Sequence, residues 1–111
     1  MSNTPTCNWP GNAGKTYTYE IYPIKGTTFA DKPGNYVFCM EISPGQWTAQ
    51  YVGQSQNLND RLANHEKLAS AIARGATHIH AHLNPVESAR LAEEKDLIQH
   101  LNPPCNEQLV A

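Results

Sequence analysis

Glu94 sits where a carboxylate is expensive. On a helical wheel over the C-terminal part of the chain, Leu91, Leu97, Ile98 and Leu101 form an apolar stripe, and Glu94 falls near its centre. A carboxylate turned into such a stripe has to be paired, hydrogen-bonded or metal-bound. It is therefore either a structural ion pair, with Arg61 or Arg90 as partner, or a metal-binding or catalytic group. The preceding helix pattern shows a similar anomaly: Leu58, Leu62, Leu68, Ala69 and Ile72 mark its inner face, and Arg61 and His65 fall on or beside that face, one turn apart. Taken singly, Arg61 reads as snorkelling to the rim and His65 as a satisfied core histidine. With Glu94, and with Tyr36 and Tyr51 on one face of a hairpin, they make a different set. It offers a metal ligand, a guanidinium for phosphate oxygens, and phenols or an imidazole for proton transfer.

The elements that must position these groups are legible in outline. Alternation from Lys15 to Ile24 predicts a strand, and Asn35–Ile42 and Trp47–Gly53 predict a hairpin closed by Ser43-Pro44-Gly45-Gln46, with Pro and Gly where a type II turn takes them. Centred there, the turn places Phe38 opposite Tyr51 and Tyr36 diagonal to Tyr51 on the same face. Asn57 to Arg74 predicts one helix, capped by Asn57, with Asp60 in its first turn and Gly75 ending it. Thr77 to Leu83 alternates, with Ile79, Ala81 and Leu83 inward and a solvent-facing row of His78, His80 and His82. Same-face residues on a strand are about 6.5–7 Å apart, too far for that row to ligate one ion. Asn84-Pro85-Val86-Glu87 predicts a capped start to the last helix, which ends before Pro103-Pro104. The order predicts an α/β (α+β) fold with a small central antiparallel or mixed sheet flanked by helices.

Composition narrows the function. The chain has 111 residues, 40% hydrophobic, with 8 Lys and Arg against 10 Asp and Glu and a net charge of −2. A broad basic field of the kind that coats nucleic acid or grips a membrane is excluded. No apolar run is long enough to span a bilayer. Cys7, Cys39 and Cys105 follow neither a zinc spacing nor a disulfide framework, which with the absence of a signal-like segment predicts a cytoplasmic protein with reduced thiols. Residues 1–14 read as a flexible tail, 15–107 as the domain with its motif-bearing core at 33–106, and 108–111 as a C-terminal tail.

In order and spacing these residues resemble the GIY-YIG nuclease family. Pro33-Gly34-Asn35-Tyr36 resembles its first motif, with Asn35 replacing the usual apolar residue, and Tyr51-Val52-Gly53 its second. Arg61 stands ten residues past Tyr51, at the position of the family's arginine, and His65 follows one turn later. Glu94-Lys95-Asp96-Leu97-Ile98 resembles its metal-ligand helix, and Asn102-Pro103-Pro104-Cys105-Asn106 its Asn-terminated close.

The resemblance implies a GIY-YIG nuclease-like fold and hydrolysis of nucleic-acid phosphodiester bonds with one divalent ion, Mg²⁺ or Mn²⁺. It implies Glu94 as the one protein metal ligand, Arg61 on the scissile phosphate, and Tyr51 as general base with Tyr36 orienting or substituting. His65 would relay a proton or hold the phosphate, and Asn106 would pin the end of the chain to the hairpin, with Gly34, Gly53 and Gln54 supporting. Some members carry Lys where Gln54 stands, so a cation near the phosphate is missing. The sparse positive charge predicts weak, strongly salt-sensitive binding to a short footprint, DNA before RNA, single-stranded or structured, with a targeting partner or homo-oligomer as the means of widening it. The competing readings are a non-catalytic nucleic-acid-binding module on the same scaffold and an interaction protein using the His row with Trp9 and Trp47.

Overall fold

Pro44 and Gly45 reverse the chain between two long strands, β3 (Gly34–Ser43) and β4 (Gln46–Ser55), which pair antiparallel with Ser43 opposite Gln46. The structure, a computed structural model, describes residues 4–106. Phe38 lies opposite Tyr51 as the turn predicts, and the register shifts at Phe38/Cys39 and Glu41/Ser43. Such shifts mark bulges, which bend and twist a hairpin locally.

Around this hairpin the chain builds one five-stranded sheet in the order β1-β2-β5-β3-β4, every pair antiparallel. The other strands are β1 (Thr6–Pro10), β2 (Thr16–Pro23) and β5 (His78–Leu83). On one face Tyr36, Phe38, Ile79 and Ala81 pack with Leu58 and Leu62 of α1 (Leu58–Ala63) and Ala71 of α2 (Leu68–Ala73). On the other, Trp9, Tyr19, Val37 and Val52 pack with Leu97 of α3 (Glu87–Leu101). The α+β class with a small sheet between helices holds.

Several expectations are corrected. The N-terminal segment is not a flexible tail over its described part: Thr6–Pro10 pairs with β2, and Trp9 is 4% exposed. The turn after β1 is tied to α3 through Asp96, which accepts hydrogen bonds from the Ala13 amide and the Tyr17 hydroxyl, both at 2.8 Å. Burial of Trp9 and these long-range bonds offset the ordering cost that polar composition alone overstates. The expected C-terminal tail, 108–111, and the last residue of the expected domain lie outside the described residues.

The helix expected over 57–74 is two. Asn57 does cap α1, its side chain accepting from the Asp60 amide, but α1 stops at Ala63 and α2 begins at Leu68. The intervening turn is occupied by a backbone-to-imidazole hydrogen bond, Lys67 N–H to His65 Nδ1 at 3.0 Å, which replaces helical pairing there. The expected Asn84 cap is also absent: α3 starts at Glu87 behind Val86, which makes no side-chain cap bond. The Asn84 amide N–H still pairs with Pro33 O, extending the sheet, and its side chain bonds Asn35 and Glu93 instead.

The histidine row is not solvent-facing, because β5 lies in the middle of a sheet covered on both faces. His80 is fully buried, accepting a hydrogen bond from Trp9 Nε1 at Nδ1 (2.9 Å) with Trp47 against its ring, while Leu83 is exposed. Trp9 is thereby used in the core, which removes it from any partner surface.

Candidate active site

Gly53 is where the site begins. A Cβ there would come within 2.4 Å of Tyr36 Cζ and its hydroxyl oxygen, so only glycine lets the Tyr36 ring lie across β4. Gly34 has the corresponding role at the start of β3: a Cβ would meet His82 O at 2.3 Å, closing the approach of β5. Along the hairpin the Tyr36 and Tyr51 rings stack at 6.2 Å between centroids, 23° apart. Phe38 lies beside both, and His65 meets Tyr36, Phe38 and Tyr51 edge-on.

The His65 ring has a defined tautomer. Nδ1 accepts the Lys67 amide, so in the neutral ring the proton is on Nε2. Burial, then the Arg61 charge, lowers its pKa to about 4, so the ring is neutral at pH 7. The 2.8 Å contact between Nε2 and the Tyr36 oxygen therefore has His65 donating and Tyr36 accepting. In this state His65 is a donor toward Tyr36 and not a base for it.

Arg61 leaves α1 beside both phenols and lines an open groove with Gln54, Gln56, Asn57, Asp60 and Asn64. Its two terminal nitrogens fork onto Glu66, Nη1 to Oε2 at 2.7 Å and Nη2 to Oε1 at 3.0 Å. Burial raises the pKa of Tyr36 and Tyr51; Arg61 pulls both down, and burial wins.

Glu94 comes from α3, on the opposite face of the sheet, and its negative charge reaches both phenols and adds to their upward shift. The carboxylate is half-buried, burial raises its pKa, and it makes no hydrogen bond or ion pair with any described residue. It is thus paired with neither Arg61 nor Arg90. The predicted core stripe is rotated: Leu91 is 46% exposed, and the fully inward residues of α3 are Arg90, Glu93 and Leu97.

Reading from the sequence missed Glu93, which accepts from Tyr19 (2.5 Å), His82 (2.6 Å) and Asn84 (3.4 Å) at 5% exposure. The visible signal was Tyr19 and His82, polar groups on strands with no expected partner, together with Asn84, which was expected to cap a helix and does not. The departure at Asn35 has its explanation in the same region: the buried side chain donates to Arg90 O and accepts from Asn84, both at 3.0 Å. Gln54 accepts from Arg90 Nε at 3.0 Å, so it braces α3. Asn106 clamps Val52 with two bonds, accepting from its amide at 2.8 Å and donating to its carbonyl at 2.9 Å.

A family model described as CBL proto-oncogene N-terminus, SH2-like domain matches residues 15–90. No curated protein matches the chain. Among solved structures, the GIY-YIG N-terminal endonuclease domain of UvrC from Thermotoga maritima is similar in several forms. A point mutant bound to its catalytic divalent cation is 20% identical, with 71% of this chain and 87% of that one covered at a TM-score of 0.59. The form bound to its catalytic divalent cation, magnesium, is 21% identical, with 70% and 86% covered at 0.57. A second point mutant with its cation is 21% identical, with 71% and 87% covered at 0.58. Likeness at this identity shows the fold, and the resemblance carried by the motifs holds at that level. By the family match the chain belongs to the family described as CBL proto-oncogene N-terminus, SH2-like domain, and by structure it has the GIY-YIG endonuclease fold.

Proposed function

We propose that this chain is a divalent-metal-dependent endonuclease that hydrolyses nucleic-acid phosphodiester bonds, acting on DNA by preference and on single-stranded or structured substrates. One observation carries the reading: Arg61 lies beside two stacked phenols, and a half-buried carboxylate with no described partner, Glu94, is within electrostatic reach of both.

The donor set fits a hard divalent ion. Among the described residues there is no group of three or more His, Cys, Asp or Glu able to cage a metal. A single carboxylate suits Mg²⁺ or Mn²⁺, which keep most of their water shell. Glu94 would hold such an ion, which when bound would supply positive charge to the phosphate chemistry and make water more acidic. The remaining work falls to the chain itself. Arg61 binds phosphate oxygens and stabilises the charge that builds on them in the transition state. Tyr51, the less buried of the two phenols, accepts the proton of the attacking water once ionised. Tyr36 orients that water, its own oxygen held by the His65 Nε2 proton. His65 is thus assigned a holding role in place of a proton relay. Gly34, Gly53, Gln54 and Asn106 keep the hairpin and α3 in place.

The family match favours a second reading, a phosphate-binding module without chemistry. Recognition of phosphorylated motifs uses clusters of arginine. This chain has three arginines, and Arg90 is buried against Gln54 and Asn84 O.

Labelled single- and double-stranded DNA and RNA incubated with Mg²⁺, Mn²⁺ or EDTA separate the two. Cleavage is expected with either metal, none in EDTA, and a loss of about 100-fold or more in Arg61→Ala and Glu94→Ala. Cleavage that persists in EDTA or in Glu94→Ala removes the metal role. Nucleic-acid binding with no cleavage under any condition removes the chemistry and leaves a non-catalytic nucleic-acid-binding module on the same scaffold.

A further inference from the structure

Glu66 is the group in this region that neither the motifs nor the proposed chemistry uses. It lies between α1 and α2, its side chain 63% exposed, and both its oxygens face the Arg61 fork. Two parallel N–H···O bonds are the arrangement a guanidinium uses for phosphate as well as for carboxylate. We propose that Glu66 is a built-in stand-in for substrate phosphate, and that a nucleic-acid phosphate engages Arg61 only by displacing it. This rests on the reading that Arg61 is the phosphate-binding group of the site.

The surroundings favour exchange over a permanent bond. His65, the neighbour of Glu66, is fixed by Tyr36 and by the Lys67 amide, so the backbone at this turn is held while the Glu66 side chain extends into solvent. Exposed ion pairs are weak because both charges stay hydrated. Arg61 holds the Glu66 carboxyl down at about 2, so the competitor stays ionised at any working pH and has to be displaced by another anion. A single weakly charged anion competes poorly for the fork. A phosphodiester chain, held at several points, competes well, and the chain thereby discriminates polymer from free phosphate.

The test is a titration of the full chain with inorganic pyrophosphate, followed through the arginine side-chain NMR signals, in wild type, Glu66→Gln and Glu41→Gln. Glu41 lies beside the β3–β4 turn, where it accepts from the Gly45 amide, and its variant removes an equal charge away from Arg61. Glu66→Gln is expected to bind pyrophosphate about fivefold more tightly than wild type at the Arg61 signal, with Glu41→Gln close to wild type. Equal affinity in all three, an equal gain in both variants, or no response of Arg61 in any of them overturns the proposal. Cleavage assays on the same samples keep the two readings apart. A gain in Glu66→Gln with no cleavage in wild type sinks the nuclease and leaves displacement standing; cleavage in wild type with no gain does the reverse.

Discussion

At the scale of single residues, the hardest requirement of the proposed chemistry falls on a phenol. A general base has to be unprotonated when it acts, and burial in this protein raises Tyr51 despite Arg61 beside it. The ionised fraction at neutral pH is therefore small and grows about tenfold per pH unit below the phenol's pKa. With Mg²⁺ present, the single-turnover cleavage rate is expected to rise from pH 6.5 to 8.5 with a slope approaching about one. Tyr51→Phe should flatten that slope and lower the rate, whereas Tyr36→Phe should lower the rate and keep the slope. A flat wild-type profile, or full activity in Tyr51→Phe, excludes Tyr51 as the base. The two tyrosines themselves were readable, because a two-residue period and a turn at Pro44-Gly45 fix which side chains share a face. The claim of Glu66 on Arg61 was not, since the helix expected over 57–74 carries both residues past one another, whereas the break after Ala63 lets the chain fold Glu66 back.

At the scale of elements, α3 shows how a helix can be identified correctly and rotated wrongly. Its existence and its end are plain from the sequence, but its start falls at Glu87 and not at the expected Asn84 cap, and its rotation is set by what the sheet offers. Tyr19, His82 and Asn84 supply three donors, and Glu93 accepts from all of them. Arg90 enters beside it, bonded to Gln54 and to Asn84 O, and Leu91 is left outside. An apolar-stripe reading charges each buried polar residue its full desolvation and so counts against this rotation, while the satisfied network removes that penalty. Glu93→Ala leaves those donors without their acceptor in a site 5% exposed, and should cost about 2–4 kcal/mol in urea unfolding. A loss under about 0.5 kcal/mol would show that water replaces the carboxylate at no cost.

At the scale of the whole molecule, charge sets the terms of any encounter with nucleic acid. Of eight Lys and Arg, Arg90 is spent inside and Arg61 is held by Glu66. Few phosphates can then be neutralised at once. Binding to long duplex DNA by anisotropy should be weak, strongly salt-dependent and lost at moderate salt. Tight binding that ignores salt contradicts this charge arithmetic and calls for a basic surface supplied by another chain. No helix among the described residues is long and apolar enough to cross a membrane.

The sequence by itself determined the α+β class, the hairpin and its register, the Asn57 cap, and the motif order that carries Tyr36, Tyr51, Arg61, His65 and Glu94. The class, the hairpin and the cap follow from local periods and turn chemistry, each confined to a few neighbouring residues, and the motif order is read through the family resemblance. Only the tertiary structure decided that Thr6–Pro10 joins the sheet, that His80 is buried, and that α3 turns Glu93 inward. It also decided that Glu94 pairs with no described residue and that Arg61 already holds an anion. Each of those outcomes depends on which distant donor, acceptor or apolar face lies opposite, and strand order across a sheet, here β1-β2-β5-β3-β4, is what brings such distant groups together.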